Sequence, residues 1–205
     1  MPRFAAALVA LICWAALGLR IAATDAGTHD LLATLWILAR FFTITTNFAV
    51  AVAMTWQSLG KRLSDFLLGG LALAMLLVGI VYAVLLAKLY HLTGLALAAD
   101  ILMHKVAPVA VTLYWLAFAP HRRLRWTAPL WWSLYPIAYF AYALGRGAID
   151  GHYPYPFMDV GKIGLGATLL NAAVIAAAFI VAGEGLVWLD RHVLGRAPRL
   201  AKAAR

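Results

Sequence analysis

Six apolar stretches recur along this 205-residue chain, each about the length that carries a helix across a hydrocarbon core. They fall at residues 4–23, 31–59, 66–88, 96–119, 128–146 and 163–189. Apolar residues make up 65% of the sequence and charged residues 12%. Soluble domains carry about a quarter charged residues, so a water-soluble core of this length has nowhere to hide that much apolar surface. The pattern predicts an all-α polytopic membrane protein, a bundle of six transmembrane helices forming a single domain over residues 1–205. The second and sixth segments exceed the required length and are expected to tilt or to extend beyond the lipid.

The basic residues set the expected orientation. Arg3, Lys61, Arg62, Arg122, Arg123, Arg125 and Arg191 fall in one set of loops, together with a basic tail over residues 190–205. The opposite loops hold Arg20, Lys88, Arg146 and Lys162, and also Asp25, Asp30, Asp150 and Asp159. By the positive-inside rule the first set, with both termini, faces the cytoplasm. The net charge of +9 therefore reads as topology rather than as a nucleic-acid surface. Arg20 stands where a signal-peptide cleavage site needs a small neutral residue, so the first segment is expected to stay as a helix. The expected location is a cell membrane.

Polar residues inside such segments are costly and tend to mark function. The second segment carries Arg40-Phe41-Phe42-Thr43-Ile44-Thr45-Thr46-Asn47. On a continuous helix Trp36, Arg40, Thr43 and Asn47 share one face. Threonine in a membrane helix commonly bonds its own backbone, and asparagine often joins helices. Arg40 needs a partner or water wherever it sits. The fourth segment places Asp100, His104 and Pro108 at four-residue spacing. Asp100 can orient His104, and Pro108 frees the His104 carbonyl and is expected to kink the helix. An Asp100–Arg40 pair is also within reach. A loop at the outer end, Tyr153-Pro154-Tyr155-Pro156-Phe157-Met158-Asp159, is stiffened by two prolines and reads either as an interfacial connector or as a lid.

These groups permit nucleophilic acyl transfer. A hydroxyl needs a base within hydrogen-bond reach; His104 can serve Thr43, with Asp100 orienting it. A developing oxyanion needs a preset donor, for which Asn47 or Arg40 is the candidate, the alternative being that they bind substrate by holding a carboxylate headgroup. The remaining histidines lie in or near loops, there is no HExxH or comparable ligand set, and the lone Cys13 has no partner, so no metal or cofactor is expected. The same polar residues also fit a second reading, a non-enzymatic small-molecule or proton conduit through Arg40, Asp100 and His104.

Three pieces carry a resemblance: Arg40-Phe41-Phe42-Thr43 with Thr46-Asn47, the helix around His104 with Pro108, and the Tyr153–Asp159 loop. In their order and spacing the chain resembles the androgen-induced and androgen-dependent-TFPI-regulating membrane proteins, and more closely their bacterial relatives. That resemblance covers essentially the whole chain. It implies a six-span intramembrane threonine hydrolase acting on fatty-acid esters of hydroxy fatty acids, with membrane lipids as surroundings and a lipid ester as substrate. By motif position Thr43 is the implied nucleophile and His104 the implied base.

Overall fold

The computed structural model describes residues 1–89 and 91–194. The expected basic tail beyond residue 194 lies outside them. All regular structure among the described residues is helical. Helix α1 spans Pro2–Thr28, with proline in its first turn where its missing N–H costs nothing. It ends at His29, whose left-handed φ of 53° turns the chain. Asp30 then caps α2 (Leu31–Leu38), accepting from the amides of Leu32 and Ala33 at 2.8 and 3.2 Å. Helix α3 covers Phe42–Ser58. Ser64 caps α4 (Asp65–Val81), which runs on through a widened π turn at Tyr82–Leu86. Helix α5 (Gly94–Ile101) passes through a second π turn at Leu102–Val106 into α6 (Ala107–Phe118). Helix α7 spans Ala128–Asp150. Helix α8 spans Val160–Trp188 and ends in a third π turn at Leu189–Val193.

Four of these helical runs are long and apolar enough to cross a membrane: Pro2–Thr28, Asp65–Leu86, Gly94–Phe118 and Val160–Val193. A fifth crossing results if α2 and α3 count as one bent span. Helix α7 is 23 residues long but is not among them. Its tyrosines, Ser133, Arg146 and Asp150 dilute its apolar character. Several long apolar helices of this kind are compatible with a multi-pass membrane protein.

Small residues let the helices approach closely. Ala6, Cys13 and Ala16 of α1 are fully buried beside Ala51 of α3, Ala72 of α4 and Ala107 of α6. A methyl group added at Gly69 or Gly70 would press into the Trp132 ring at 2.9 or 2.8 Å, which shows how tightly α7 lies on α4. Large apolar side chains such as Leu8, Phe48, Leu130, Val174 and Val181 point outward from the bundle, as expected where lipid is the solvent.

The second expected span is not the continuous helix that its periodicity suggests. Helices α2 and α3 are broken at residues 39–41 and meet at 100°. The face shared by Trp36, Arg40, Thr43 and Asn47 therefore ends at the break. Neither proline nor glycine causes it. Backbone groups released by the break find side chains from elsewhere in the chain. Arg146 donates to the Trp36 carbonyl, Tyr142 to Ala39 at 3.3 Å and Tyr139 to Arg40 at 2.6 Å. The amide of Phe42 donates to the Tyr155 hydroxyl at 3.1 Å. Irregular backbone survives inside a bundle only when other groups satisfy it, and here α7 and the loop after it supply them.

Candidate active site

The break sets Thr43 in the first turn of α3 rather than about 12 residues into a straight helix. Its hydroxyl oxygen is 3.2 Å from Nε2 of His104. His104 lies within the π turn of Leu102–Val106, which ends just before Pro108. Proline cannot donate to the His104 carbonyl, and the helix answers with an extra residue in the turn, closed by the Ala107 amide on Leu102. Gly79 of α4 packs over this spot. A methyl there would sit 3.2 Å from Pro108 and 3.5 Å from the freed His104 carbonyl.

Nδ1 of His104 faces two acceptors, the Asp100 carboxylate at 3.0 Å and the Asp100 carbonyl at 3.1 Å. The hydrogen-bond network thus assigns the ring proton to Nδ1 and leaves the Nε2 lone pair turned toward Thr43. Tyr82 completes the arrangement. Its hydroxyl donates to the other carboxylate oxygen of Asp100, and its ring stacks on the imidazole at 4.2 Å with an interplanar angle of 13°. The result is a hydroxyl, an imidazole, a carboxylate and a phenol in sequence, the nucleophile–base–orienter pattern of acyl-transfer sites.

Two cavities meet at Thr43. One, of about 290 Å³, runs between α4, α7 and α8 with almost wholly apolar walls, including Val78, Ile137, Phe140, Ala172, Ala176 and Phe179. The other, of about 240 Å³, holds Arg20, Tyr82, Asp100 and His104. Thr43, Leu86 and Tyr155 line both. Arg20 comes from α1 and forms no ion pair among the described residues.

The other two expected site residues lie elsewhere. Asn47 is fully buried, and its amide donates to the Thr43 carbonyl at 2.9 Å, a bond one turn back along its own helix. Arg40 sits in the break and reaches Asp150 at 3.1 Å, so the Asp100–Arg40 pair does not form. Asp150 also receives Nε of Arg146 at 3.4 Å and the amide of His152 at 2.9 Å. That amide, with Arg40 and Arg146 beside it, holds the Asp150 carboxyl below the ordinary carboxylate value. Neither Asn47 nor Arg40 lines either cavity, so the oxyanion role assigned to them from sequence has no geometric basis. The bend removed Arg40 from the Thr43 face, and back-bonding occupied Asn47.

Three residues were missed at the sequence level. Tyr82 gave no local signal, because its role depends on α4 pairing with α5. Arg20 was read as a flanking charge. Tyr155 was visible within the proline-flanked loop but had no assigned partner. That loop folds inward. Pro154 and Met158 are buried, Tyr155 stacks on Phe157 at 5.1 Å, and Tyr153 presses so closely on Gly147 that a methyl there would overlap its ring. Among the described residues no three His, Cys, Asp or Glu side chains gather as a metal-binding set.

No known family profile, no curated protein and no solved structure matches this chain. The chemistry is therefore argued from the site itself.

Proposed function

We propose that this protein is an intramembrane hydrolase of lipid esters, with Thr43 as nucleophile and His104 as base, in a six-span bundle whose termini face the cytoplasm. The observation that carries the reading is the 3.2 Å approach of Thr43 Oγ1 to an imidazole nitrogen whose partner nitrogen is held by a carboxylate, at the junction of two cavities. Thr43 attacks the ester carbonyl and passes its proton to His104 Nε2. The tetrahedral intermediate collapses, and the departing alkoxide takes that proton. Water, deprotonated by the same nitrogen, then releases the acid from Thr43. The apolar cavity suits a hydrocarbon chain. Arg20 in the second cavity suits a free carboxylate, as on an ester of a hydroxy fatty acid.

A conduit would require polar groups continuing to the far face. Beyond His104 toward the opposite end, the buried side chains of Ala107, Val111 and Trp115 carry no charge, and Tyr114 adds a single hydroxyl, which favours the hydrolase.

The test is covalent labelling of the purified protein by a fluorophosphonate probe. Wild type is expected to label on Thr43, and Thr43→Ala and His104→Ala are expected to lose labelling. A Thr43→Ala protein that labels like wild type would remove the assignment.

A further inference from the structure

A threonine hydrolase of the kind just described needs a donor for its oxyanion, and neither Arg40 nor Asn47 reaches the cavities. The geometry points to the Tyr155 hydroxyl, polarised by the Phe42 amide at the start of α3, as the group that stabilises the oxyanion on the ester carbonyl attacked by Thr43. This rests on the hydrolase reading and extends it by one catalytic residue.

Four observations support it. Tyr155 is one of three residues lining both cavities, and another is the nucleophile itself. A carbonyl undergoing attack by Thr43 therefore lies within the reach of both. Second, the phenol oxygen accepts the Phe42 amide at 3.1 Å. With its oxygen accepting a backbone N–H, the phenol keeps its O–H as a donor, and the amide bond polarises it into a better one.

Third, α3 starts at this point without a side-chain cap. The Ile44 and Thr45 amides close on the Phe41 carbonyl and the Phe42 amide donates to the phenol, so the helix start contributes by favouring negative charge beside the phenol. Fourth, the ring is fixed in place. It stacks on Phe157, meets Phe41 edge-on at 6.1 Å and sits in a loop pinned by Asn171 on the Phe157 carbonyl at 3.1 Å. A donor that needs no reorganisation during the reaction is the kind that lowers a barrier. Burial pushes the Tyr155 phenol above its ordinary value, so it remains protonated at neutral pH.

The experiment measures the second-order rate of fluorophosphonate labelling at Thr43 for wild type, Tyr155→Phe and a protein with 3-fluorotyrosine at position 155. Tyr155→Phe is expected to label about 10²–10³-fold more slowly, the usual cost of one lost oxyanion donor. Ring fluorination makes the phenol more acidic at almost unchanged shape. The fluorotyrosine protein is therefore expected to lose labelling at lower pH than wild type on the alkaline side, because an ionised phenol cannot donate. Tyr155→Phe labelling at the wild-type rate overturns the inference and leaves the hydrolase standing. If Tyr155→Phe fails to fold, an unmoved alkaline limb in the fluorotyrosine protein overturns it instead. A wild-type protein that takes up no probe at Thr43 overturns the hydrolase and this inference together.

Discussion

Two of the histidine–carboxylate pairs among the described residues, His104–Asp100 and His121–Asp190, lie toward opposite ends of the bundle and are built for different ends. At the Thr43 end, His104 rests one nitrogen on Asp100 and turns the other to a hydroxyl on a cavity wall. At the opposite end, Nδ1 of His121 meets Asp190 at 2.9 Å and Nε2 meets the Leu116 carbonyl at 3.1 Å. Both His121 nitrogens are engaged by acceptors, so none is left to take a proton from a substrate. Asp190 is fully buried, and it also accepts the Leu124 amide at 3.2 Å. Arg191 closes the same corner on the Leu124 carbonyl at 2.8 Å. One pair leaves a reactive edge open, and the other ties the α6–α7 connection to the end of α8. Pairing a histidine with a carboxylate does not make a catalytic base; what faces the second nitrogen decides.

That contrast can be broken most sharply by removing each imidazole. His104→Ala is expected to reduce probe labelling by about 10²–10⁴-fold, the usual contribution of a positioned base, with little change in melting temperature. His121→Ala is expected to melt lower while its folded fraction labels at close to the wild-type rate. Equal labelling losses in the two proteins would erase the distinction. The carboxylates sharpen it. Asp190→Asn leaves buried donors mismatched and is expected to destabilise by about 3–5 kcal/mol in chemical or thermal unfolding, the range for a broken buried pair. Asp100→Asn is expected to slow labelling much more than it lowers stability.

The smallest effect concerns Asp150, which joins Arg40 and Arg146 across the break. Its carboxyl is held low in the folded protein, chiefly by the His152 amide and then by the two guanidinium groups. Its stabilising contribution is therefore complete above the unfolded value near 3.9 and fades as pH falls through the lower folded one. Melting curves of wild type and Asp150→Asn are expected to differ at neutral pH and to converge in strong acid. A gap that persists unchanged in acid would remove this carboxylate from the account.

What was readable in the sequence follows from the range of the forces involved. Residues 66–88 were expected as one helix and the structure places it at Asp65–Leu86, because hydrophobic periodicity is local. The four-residue spacing of Asp100 and His104 needs only one helix to bring the pair together. The break between α2 and α3 was not readable. Its satisfying groups come from Tyr139, Tyr142 and Arg146, 99 to 110 residues further along, and nothing within residues 31–59 signals a bend. With the break unseen, Arg40 was placed on the Thr43 face, whereas the structure turns it to Asp150. Tyr155 shows the same limit, since its significance appears only once α3 begins at Phe42.

The bend has a consequence for how such a chain is made. At 8 residues, α2 extends only about 12 Å and is too short to cross lipid alone. Until synthesis has passed residue 146, the hydroxyls and guanidinium that hold its loose carbonyls do not exist. The lowest-cost arrangement for the nascent segment is a straight helix with every carbonyl paired internally. Thr43 then lies mid-ladder, with its amide engaged on Ala39. On the hydrolase reading proposed above, the Thr43 hydroxyl is expected to reach its His104-facing position only after α7 has been threaded and docked.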